Sequence, residues 1–352
     1  MLGNWSTSKI ISKESPGLVF ILIQHSIMRL LVRSKAISTG LFQRLATVNP
    51  VVILANALIF TPNLRTNPIG RPQLQKNFGR STFVREFHST PITMASLSEL
   101  KQTLTPTLLD DVHKLWFDHL SCDEALILPG WSDMGKWFSH DEAFDKACVT
   151  QFRPALEIIV GSGASASDIL SAVNPSSPMD WLCLIILLDQ IPRNSYRGAE
   201  SKLVFGRFDP LSEEIALRAI KEGIPTQSPY FKYRMAYRTW FHMPLMHSEN
   251  LAVHEQAIKV HEDIARDLNE LMARDASTLT EEERKCHGVL SEQAEAVQTL
   301  LSSNSDFEKR HKVIIERFGR YPHRNQALGR VSTPEEIEYL DNGGETFSGS
   351  SK

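Results

Sequence analysis

Two short segments concentrate the side chains that could bind a charged ligand. The segment RFGRYPHRNQALGR (317–330) contains four arginines and a histidine but no acid, and LLDQIPRNSYRG (187–198) repeats its order of apolar residue, proline, arginine and asparagine. Planar guanidinium groups bind carboxylate or phosphate through paired hydrogen bonds. The segments therefore predict either a pocket for an anion or a polar contact between two helix ends.

The candidate ligand-binding residues come from these two segments. Asp189 would lie at the carboxyl end of a helix, where the dipole favours cations, so we expect a specific cationic partner from residues 320–330. Four arginines exceed what this one carboxylate neutralises, which leaves cations for a ligand. The predicted ligand-binding residues are Asp189, Arg193, Asn194, Arg197, Arg320, Arg324, Asn325 and Arg330. The predicted partners of Asp189 are Arg320, Arg324 and Arg330.

Proton transfer is the second chemistry that the sequence offers. The stretch PLMHSENL (244–251) contributes His247 and Glu249, and the arginine-rich segment contributes His323. Histidine is the usual acid or base near neutral pH, so these three are the catalytic candidates, with no residue assigned. A nucleophilic role for Ser248 is disfavoured, since no GxSxG turn surrounds it, and we expect Ser248 and Glu249 to cap a helix that begins near residues 244–247.

Three functions remain open from these residues. The first is a helical binding or scaffold protein that recognises an anionic small molecule or an acidic peptide. The second is a hydrolase or transferase in which His247 or His323 moves a proton. The third is a purely structural polar contact, in which Asp189, Glu249 and Glu316 neutralise the arginines.

Metal and cofactor binding are not predicted. His247, His254 and His261 fall seven residues apart, which on a helix spans about 10.5 Å, whereas nitrogen ligands lie about 2.1 Å from zinc. One ion cannot join them. The four cysteines have no CxxC spacing and are typical of free thiols.

The charge distribution excludes general nucleic-acid binding. The chain has 352 residues and a formal net charge of -3, but residues 1–90 hold eleven Lys or Arg and two acids, which leaves 27 basic and 39 acidic residues downstream. Nucleic-acid binding needs a broad basic surface, and the main body is acidic. The sequence leaves the identity of any ligand and the oligomeric state open.

Residues 1–95 are predicted to be a targeting extension outside the folded domain. They are rich in Ser, Thr, Arg and Asn, which is typical of mitochondrial transit regions. In FVREFHSTPITMASL (83–97) an arginine precedes an aromatic by two residues, so we expect cleavage near Phe87 to Thr90 and a mitochondrial location. The alternative is a cytoplasmic protein that starts at Met94. The apolar runs 18–23 and 51–60 fall short of the roughly 20 residues that span a bilayer, so stable membrane insertion is not expected.

The elements that position these side chains are predicted to be helices throughout residues 97–347. Apolar residues recur at three- and four-residue spacing, and Ser177-Pro178 and Asp209-Pro210 are typical of helix starts. Thr280 with Glu283, and Thr333 with Glu336, have capping-box spacing. The sequence predicts one all-α domain of antiparallel helix pairs, packed as a bundle or short solenoid.

Two predicted helix ends carry the polar segments. The stretch WLCLIILL (181–188) is apolar on every side, which favours a buried central helix, and Pro192 is expected to end it. Gly319 is expected to end the second helix. Both ends should place arginine and asparagine side chains in the following turns, facing each other.

Several stretches, taken in order, resemble the domain-of-unknown-function 924 family of bacterial and eukaryotic proteins. They cover about residues 100–347 and are LWF (115–117), KWFSHDEAFD (136–145), LLDQIPRNSYRG (187–198), PLMHSENL (244–251) and RFGRYPHRNQALGRVSTPEE (317–336). The resemblance implies an all-helical, tetratricopeptide-like fold and a eukaryotic, fungal member. It implies no established activity, so the residues themselves must indicate the function.

Overall fold

The structure, a computed structural model, describes residues 92–347, and these residues are helical with no β-strand. The all-α prediction is confirmed. The helices are α1 (Met94–Thr103), α2 (Pro106–Phe117), α3 (Asp123–Ile127), α4 (Trp131–Phe138), α5 (Glu142–Ser162), α6 (Ala166–Val173), α7 (Pro178–Ser195), α8 (Ser201–Leu203), α9 (Asp209–Lys221), α10 (Pro229–Lys232), α11 (Met235–His242), α12 (Leu251–Ala273), α13 (Glu281–Glu292), α14 (Ala294–Phe318) and α15 (Pro334–Asp341). Five 3-10 turns join them, at Gly198–Glu200, Ile224–Thr226, Met243–His247, Ala276–Thr278 and Pro322–Arg324.

The predicted extension lies almost entirely outside the described residues. The apolar runs 18–23 and 51–60 and the expected cleavage region near Phe87 to Thr90 belong to that part of the chain. The first described helix, α1, begins at Met94, before the predicted start at residue 97, and the Thr93 side chain caps it. Among the helices from residue 92 to 347, none combines the length and apolar character needed to cross a membrane.

Helix α7 forms the centre of the fold, as predicted. Ser177 and Asp180 make a reciprocal capping box at its start, with Pro178 as the first helical residue. Every side chain from 181 to 188 is buried, and α7 packs against α2, α5, α9 and α11. A helix that is apolar all round needs neighbours on every side. A second core, with Leu268, Leu290 and Val297, lies among α12, α13 and α14.

The end of α7 differs from the prediction. Pro192 does not end the helix, which continues to Ser195. Proline cannot donate a backbone hydrogen bond, but the last turn is closed by other donors: Tyr196 N donates to Pro192 O at 2.8 Å, and Asn194 Nδ2 donates to Gln190 O at 3.0 Å. Asp189 therefore lies inside the helix rather than at its end.

Both predicted capping boxes and the helix start at Asp209-Pro210 are confirmed, but the cap assigned to Asp209 and the helix start near residues 244–247 are wrong. Asp209 does not cap α9, because α8 and a π-helical turn (Val204–Phe208) run directly into it. Residues 243–247 form a 3-10 turn, and α12 begins only at Leu251, where the Asn250 side chain accepts from Ala252 N at 3.1 Å. Ser248 and Glu249 lie in the link between the turn and the helix, so their side chains are available for other contacts.

Gly319 ends α14 in the left-handed conformation, with φ of 67°, as predicted. Gly319→Ala is expected to lower the free energy of unfolding by about 1–2 kcal/mol, because a Cβ disfavours this conformation. Gly288→Ala is the matched control within α13, where an added Cβ meets nothing within 4 Å. It should raise the free energy of unfolding by about 0.5–1 kcal/mol. Urea unfolding measures the stability of both variants. Equal effects of the two substitutions would contradict the left-handed conformation of Gly319.

Candidate functional site

Five charged or titratable side chains meet where four elements converge, and we call this group the polar centre. Asp189 and Arg193 come from α7, Asp209 from the start of α9, His247 from the 243–247 turn and Arg324 from the 322–324 turn. Asp189 is 1% exposed, and Asp209 and Arg324 are each 5% exposed. Charged groups buried to this degree require partners, so the contacts among the five decide what the centre can do.

Asp189 is held by its own helix and by the 243–247 turn. Arg193 Nη2 lies 3.2 Å from Asp189 Oδ1, His247 Nδ1 lies 2.8 Å from the same oxygen, and Gln190 Nε2 donates to Oδ2 at 2.5 Å. Burial acts to raise the pKa of Asp189, but His247 and Arg193 outweigh it and hold that pKa well below its usual range. Asp189 is therefore an ionised carboxylate that accepts hydrogen bonds and donates none.

Asp209 is the acid that the sequence reading assigned to a helix cap. Arg193 Nη2 donates to its Oδ1 at 2.5 Å, and Arg324 Nη1 lies 3.3 Å from its Oδ2. Arg324 Nη1 also donates to His247 O at 2.9 Å, and its guanidinium lies 4.4 Å from the centre of the Tyr321 ring. Two carboxylates thus balance two guanidinium groups. An aspartate before a proline is a common helix start, so no local signal distinguished Asp209 from a cap.

Each other arginine of residues 317–330 also has its own carboxylate. Arg320 pairs with Glu336 at 2.6 Å, Arg330 pairs with Glu249 at 2.6 Å, and Arg317 pairs with Glu335 at 2.9 Å. The premise that arginines outnumber nearby acids is wrong, because Asp209, Glu335 and Glu336 fold against them. The predicted pairing of Asp189 with Arg320, Arg324 or Arg330 is wrong as well. Glu316, expected to neutralise the arginines, pairs with Lys312.

The remaining predicted site residues make their contacts outside the five side chains of the polar centre. Asn325 Nδ2 donates to Glu336 at 3.0 Å, and Asn194 bonds within α7. Arg197 pairs with Asp145 on α5 at 2.6 Å, so its charge is used outside the polar centre. His323 precedes Arg324 in the 322–324 turn. Burial, reinforced by the Arg324 charge, lowers the pKa of His323 to about 3.

His247 has the geometry of an oriented imidazole. Since Asp189 is ionised, the proton in their hydrogen bond belongs to His247 Nδ1, and Nε2 carries a lone pair whenever the ring is neutral. Neither His247 Nε2 nor Arg193 Nη1 has a hydrogen-bond partner between residues 92 and 347, and neither is among the buried unpartnered atoms. Both therefore reach solvent. Because both side chains contact Asp189 Oδ1, one buried carboxylate oxygen orients the two side chains whose outer nitrogens reach the rim.

A cation could in principle occupy the polar centre. One ligand atom each from Asp189, Asp209 and His247 lies within 4.8 Å of the others. The Arg193 guanidinium, however, contacts both carboxylates, at 3.2 Å and 2.5 Å. It already supplies the positive charge between them. His254 and His261 lie elsewhere, against Glu308 and His242 respectively.

Comparisons with known proteins give a family but no activity. Residues 112–344 match the model of DUF924, described as a bacterial protein of unknown function. A solved structure of a protein of unknown function from Agrobacterium tumefaciens, ATU0120, is 26% identical and covers 67% of this chain and 98% of its own, with a TM-score of 0.45. No curated protein matches the chain.

Proposed function

The chain belongs to the DUF924 family, and from that premise we propose that it is a helical binding protein whose polar centre recognises a small anionic molecule. The observation that carries the proposal is the shared oxygen Asp189 Oδ1, which His247 Nδ1 and Arg193 Nη2 both contact. This one oxygen orients both side chains, whose outer nitrogens face solvent. Arg320, Arg330 and Asn325 would frame the site from the 317–330 segment.

The balanced charges define which anion fits. A ligand held only by surplus positive charge is disfavoured, because every arginine of the site already contacts a carboxylate. Arg193 Nη1 can donate to a carboxylate or phosphate oxygen, while His247 Nε2 accepts a hydrogen bond when the ring is neutral. We therefore favour an anion that also carries an O–H group, such as a hydroxy acid or a hydrogen phosphate. An acidic peptide would offer the carboxylate to Arg193 in the same way.

Acid–base catalysis by His247 is the second candidate, and the 2.8 Å contact between Asp189 and His247 favours it. A buried carboxylate that fixes the imidazole leaves Nε2 as a base directed at a bound ligand. In that case Arg193 would hold the substrate anion, and the reaction would be hydrolysis or group transfer. Glu249 is tied to Arg330 and to Tyr321 N, so it is less suited to move a proton.

We expect malate or inorganic phosphate to raise the melting temperature of the wild type by several degrees, as binding at 100 times Kd adds about 2.7 kcal/mol. Succinate, which lacks the hydroxyl group, should act more weakly. His247→Gln should abolish the shift, while His287→Gln, at a partly exposed position on α13, should retain it.

Sodium chloride at matched ionic strength controls for general salt effects. The binding proposal fails if no anion exceeds chloride, or if His247→Gln responds like the wild type. Analysis of the same samples by NMR tests the second candidate: conversion of the anion by wild type but not by His247→Gln would support catalysis. Mitochondrial delivery by residues 1–95 and a fungal, tetratricopeptide-like ancestry remain proposals from the sequence.

A further inference from the structure

A cavity that shares no residue with the polar centre lies among α9, α10, α11 and α12. Its volume is about 290 Å³, at the small end of the range for metabolite pockets. Ile220, Phe241 and Val260 supply apolar walls, and charged side chains from α10, α11 and α12 line the rest. We call it the His242 cavity, after the buried histidine in its wall.

The charges that line the His242 cavity are not balanced. Three cationic side chains, Lys232, Arg238 and Arg266, face two carboxylates, Asp263 and Asp267. All three cations share Asp267, at 3.2 Å, 2.6 Å and 3.8 Å respectively. With neutral histidines the lining carries one net positive charge. The surplus of cations that the sequence suggested for residues 317–330 is present here instead.

His242 provides an independent sign that the cavity wall is built for a ligand. Its side chain is 3% exposed, and neither ring nitrogen has a partner among the described residues. Its ring lies 4.6 Å from that of His261, whose Nε2 is also unpartnered. A neutral imidazole carries one N–H group, and a buried donor without an acceptor is rare in native proteins.

The two histidines are held neutral by their surroundings. Burial lowers the pKa of His242 well below its usual range, and the neighbouring His261 and Arg238 reinforce the effect. Burial alone lowers the pKa of His261 to about 4. Neutral rings add no positive charge, so the lining keeps its single net charge near pH 7.

We propose that the His242 cavity binds a small monocarboxylic acid, with its carboxylate between Lys232, Arg238 and the His242 ring. The apolar part of the acid would pack on Ile220, Phe241 and Val260. One net positive charge matches a monoanion better than a phosphate ester, which carries more charge at neutral pH. On binding, the His242 ring would turn its N–H, which is buried in the free protein, toward the carboxylate.

Titration calorimetry on the full chain with hexanoate tests the proposal. We expect saturable binding of hexanoate, no detectable binding of the neutral hexanamide, and weaker binding of butyl phosphate. Lys232→Gln and His242→Phe should each weaken hexanoate binding by about tenfold. Lys259→Gln is the matched control, since Lys259 is 72% exposed, pairs with Asp263 and does not line the cavity. It should leave the affinity for hexanoate unchanged.

The opposite results would overturn the proposal. Absence of saturable hexanoate binding, or equal binding of hexanamide, would exclude a carboxylate site, and tighter binding of butyl phosphate would exclude the monocarboxylate assignment. If Lys232→Gln and Lys259→Gln lost hexanoate affinity equally, the loss would reflect the overall charge of the protein and not a contact in the cavity. His247→Gln should bind hexanoate like the wild type, so failure at the polar centre and failure at this cavity are separable.

Discussion

Arg324→Ala is expected to lower the free energy of unfolding by about 3–5 kcal/mol, because it removes a buried cation and leaves its partners unpaired. Arg324 is 5% exposed, lies 3.3 Å from Asp209 and donates to His247 O. Its guanidinium also packs against the Tyr321 ring. Removal of the side chain would leave a cavity lined by polar atoms.

Arg317→Ala is the matched control from the same segment. The Arg317 side chain is 49% exposed and pairs with the exposed Glu335, so its loss should change the free energy of unfolding by less than about 1 kcal/mol. Urea denaturation at pH 7 measures both variants. If Arg324→Ala proved as stable as Arg317→Ala but no longer responded to malate or phosphate, Arg324 would serve the ligand rather than the fold.

Acidification from pH 7 to pH 5.5 is expected to lower the free energy of unfolding by about 3–4 kcal/mol through His261, His311 and His323, and further through His242, whose pKa burial also lowers. Burial lowers the pKa of His261 to about 4, and the pKa values of His311 and His323 to about 3. In the unfolded chain a histidine has a pKa of about 6.5. Unfolded chains therefore take up protons in a pH range where the folded protein does not.

The sign of the effect follows from these values. The stabilisation by each neutral histidine is complete above pH 6.5 and is lost as the pH falls toward 4 for His261 and toward 3 for His311 and His323. Each contributes a slope of about 1.4 kcal/mol per pH unit in that window. Burial raises the pKa values of Glu213 and Glu308, which act in the opposite sense, so a variant comparison is needed.

His311→Phe provides that comparison, because it removes one titrating ring and keeps an aromatic group against Phe347. The slope of unfolding free energy between pH 7 and pH 5.5 should become smaller by about 0.8 kcal/mol per pH unit, which is below the limiting slope because the unfolded histidine is only partly protonated near pH 6.5. A wild-type slope near zero, or equal slopes in wild type and His311→Phe, would show that these histidines titrate normally in the folded protein.

The polar centre explains how one cluster can serve both stability and binding. Asp189 Oδ1 contacts Arg193 and His247, Asp209 Oδ1 accepts from Arg193, and Asp209 Oδ2 lies 3.3 Å from Arg324. The outer nitrogens of Arg193 and His247 face solvent. The inner contacts fix the positions of the outer ones, which is the arrangement that recognition of a small polar ligand needs.

The sequence alone determined the helical body, the buried centre and several helix ends. The apolar run at 181–188, the capping boxes at Ser177 and Thr333, and the stop at Gly319 all depend on residues within a few positions of one another. Helix formation and capping obey such local rules. The family resemblance was also visible in the sequence, because it depends on the order of short motifs along the chain.

Only the tertiary structure decided which charges meet. Asp189 and His247 are separated by 58 positions, and Glu249 and Arg330 by 81 positions, and no spacing rule links residues so far apart. Sequence patterns therefore identified most of the charged groups and correctly placed Glu249 against the arginines of residues 317–330, but they paired Asp189 and Glu316 wrongly and missed Asp209 and His242. A buried charge selects its partner by packing, because the cost of desolvation is offset only where an opposite charge is folded against it.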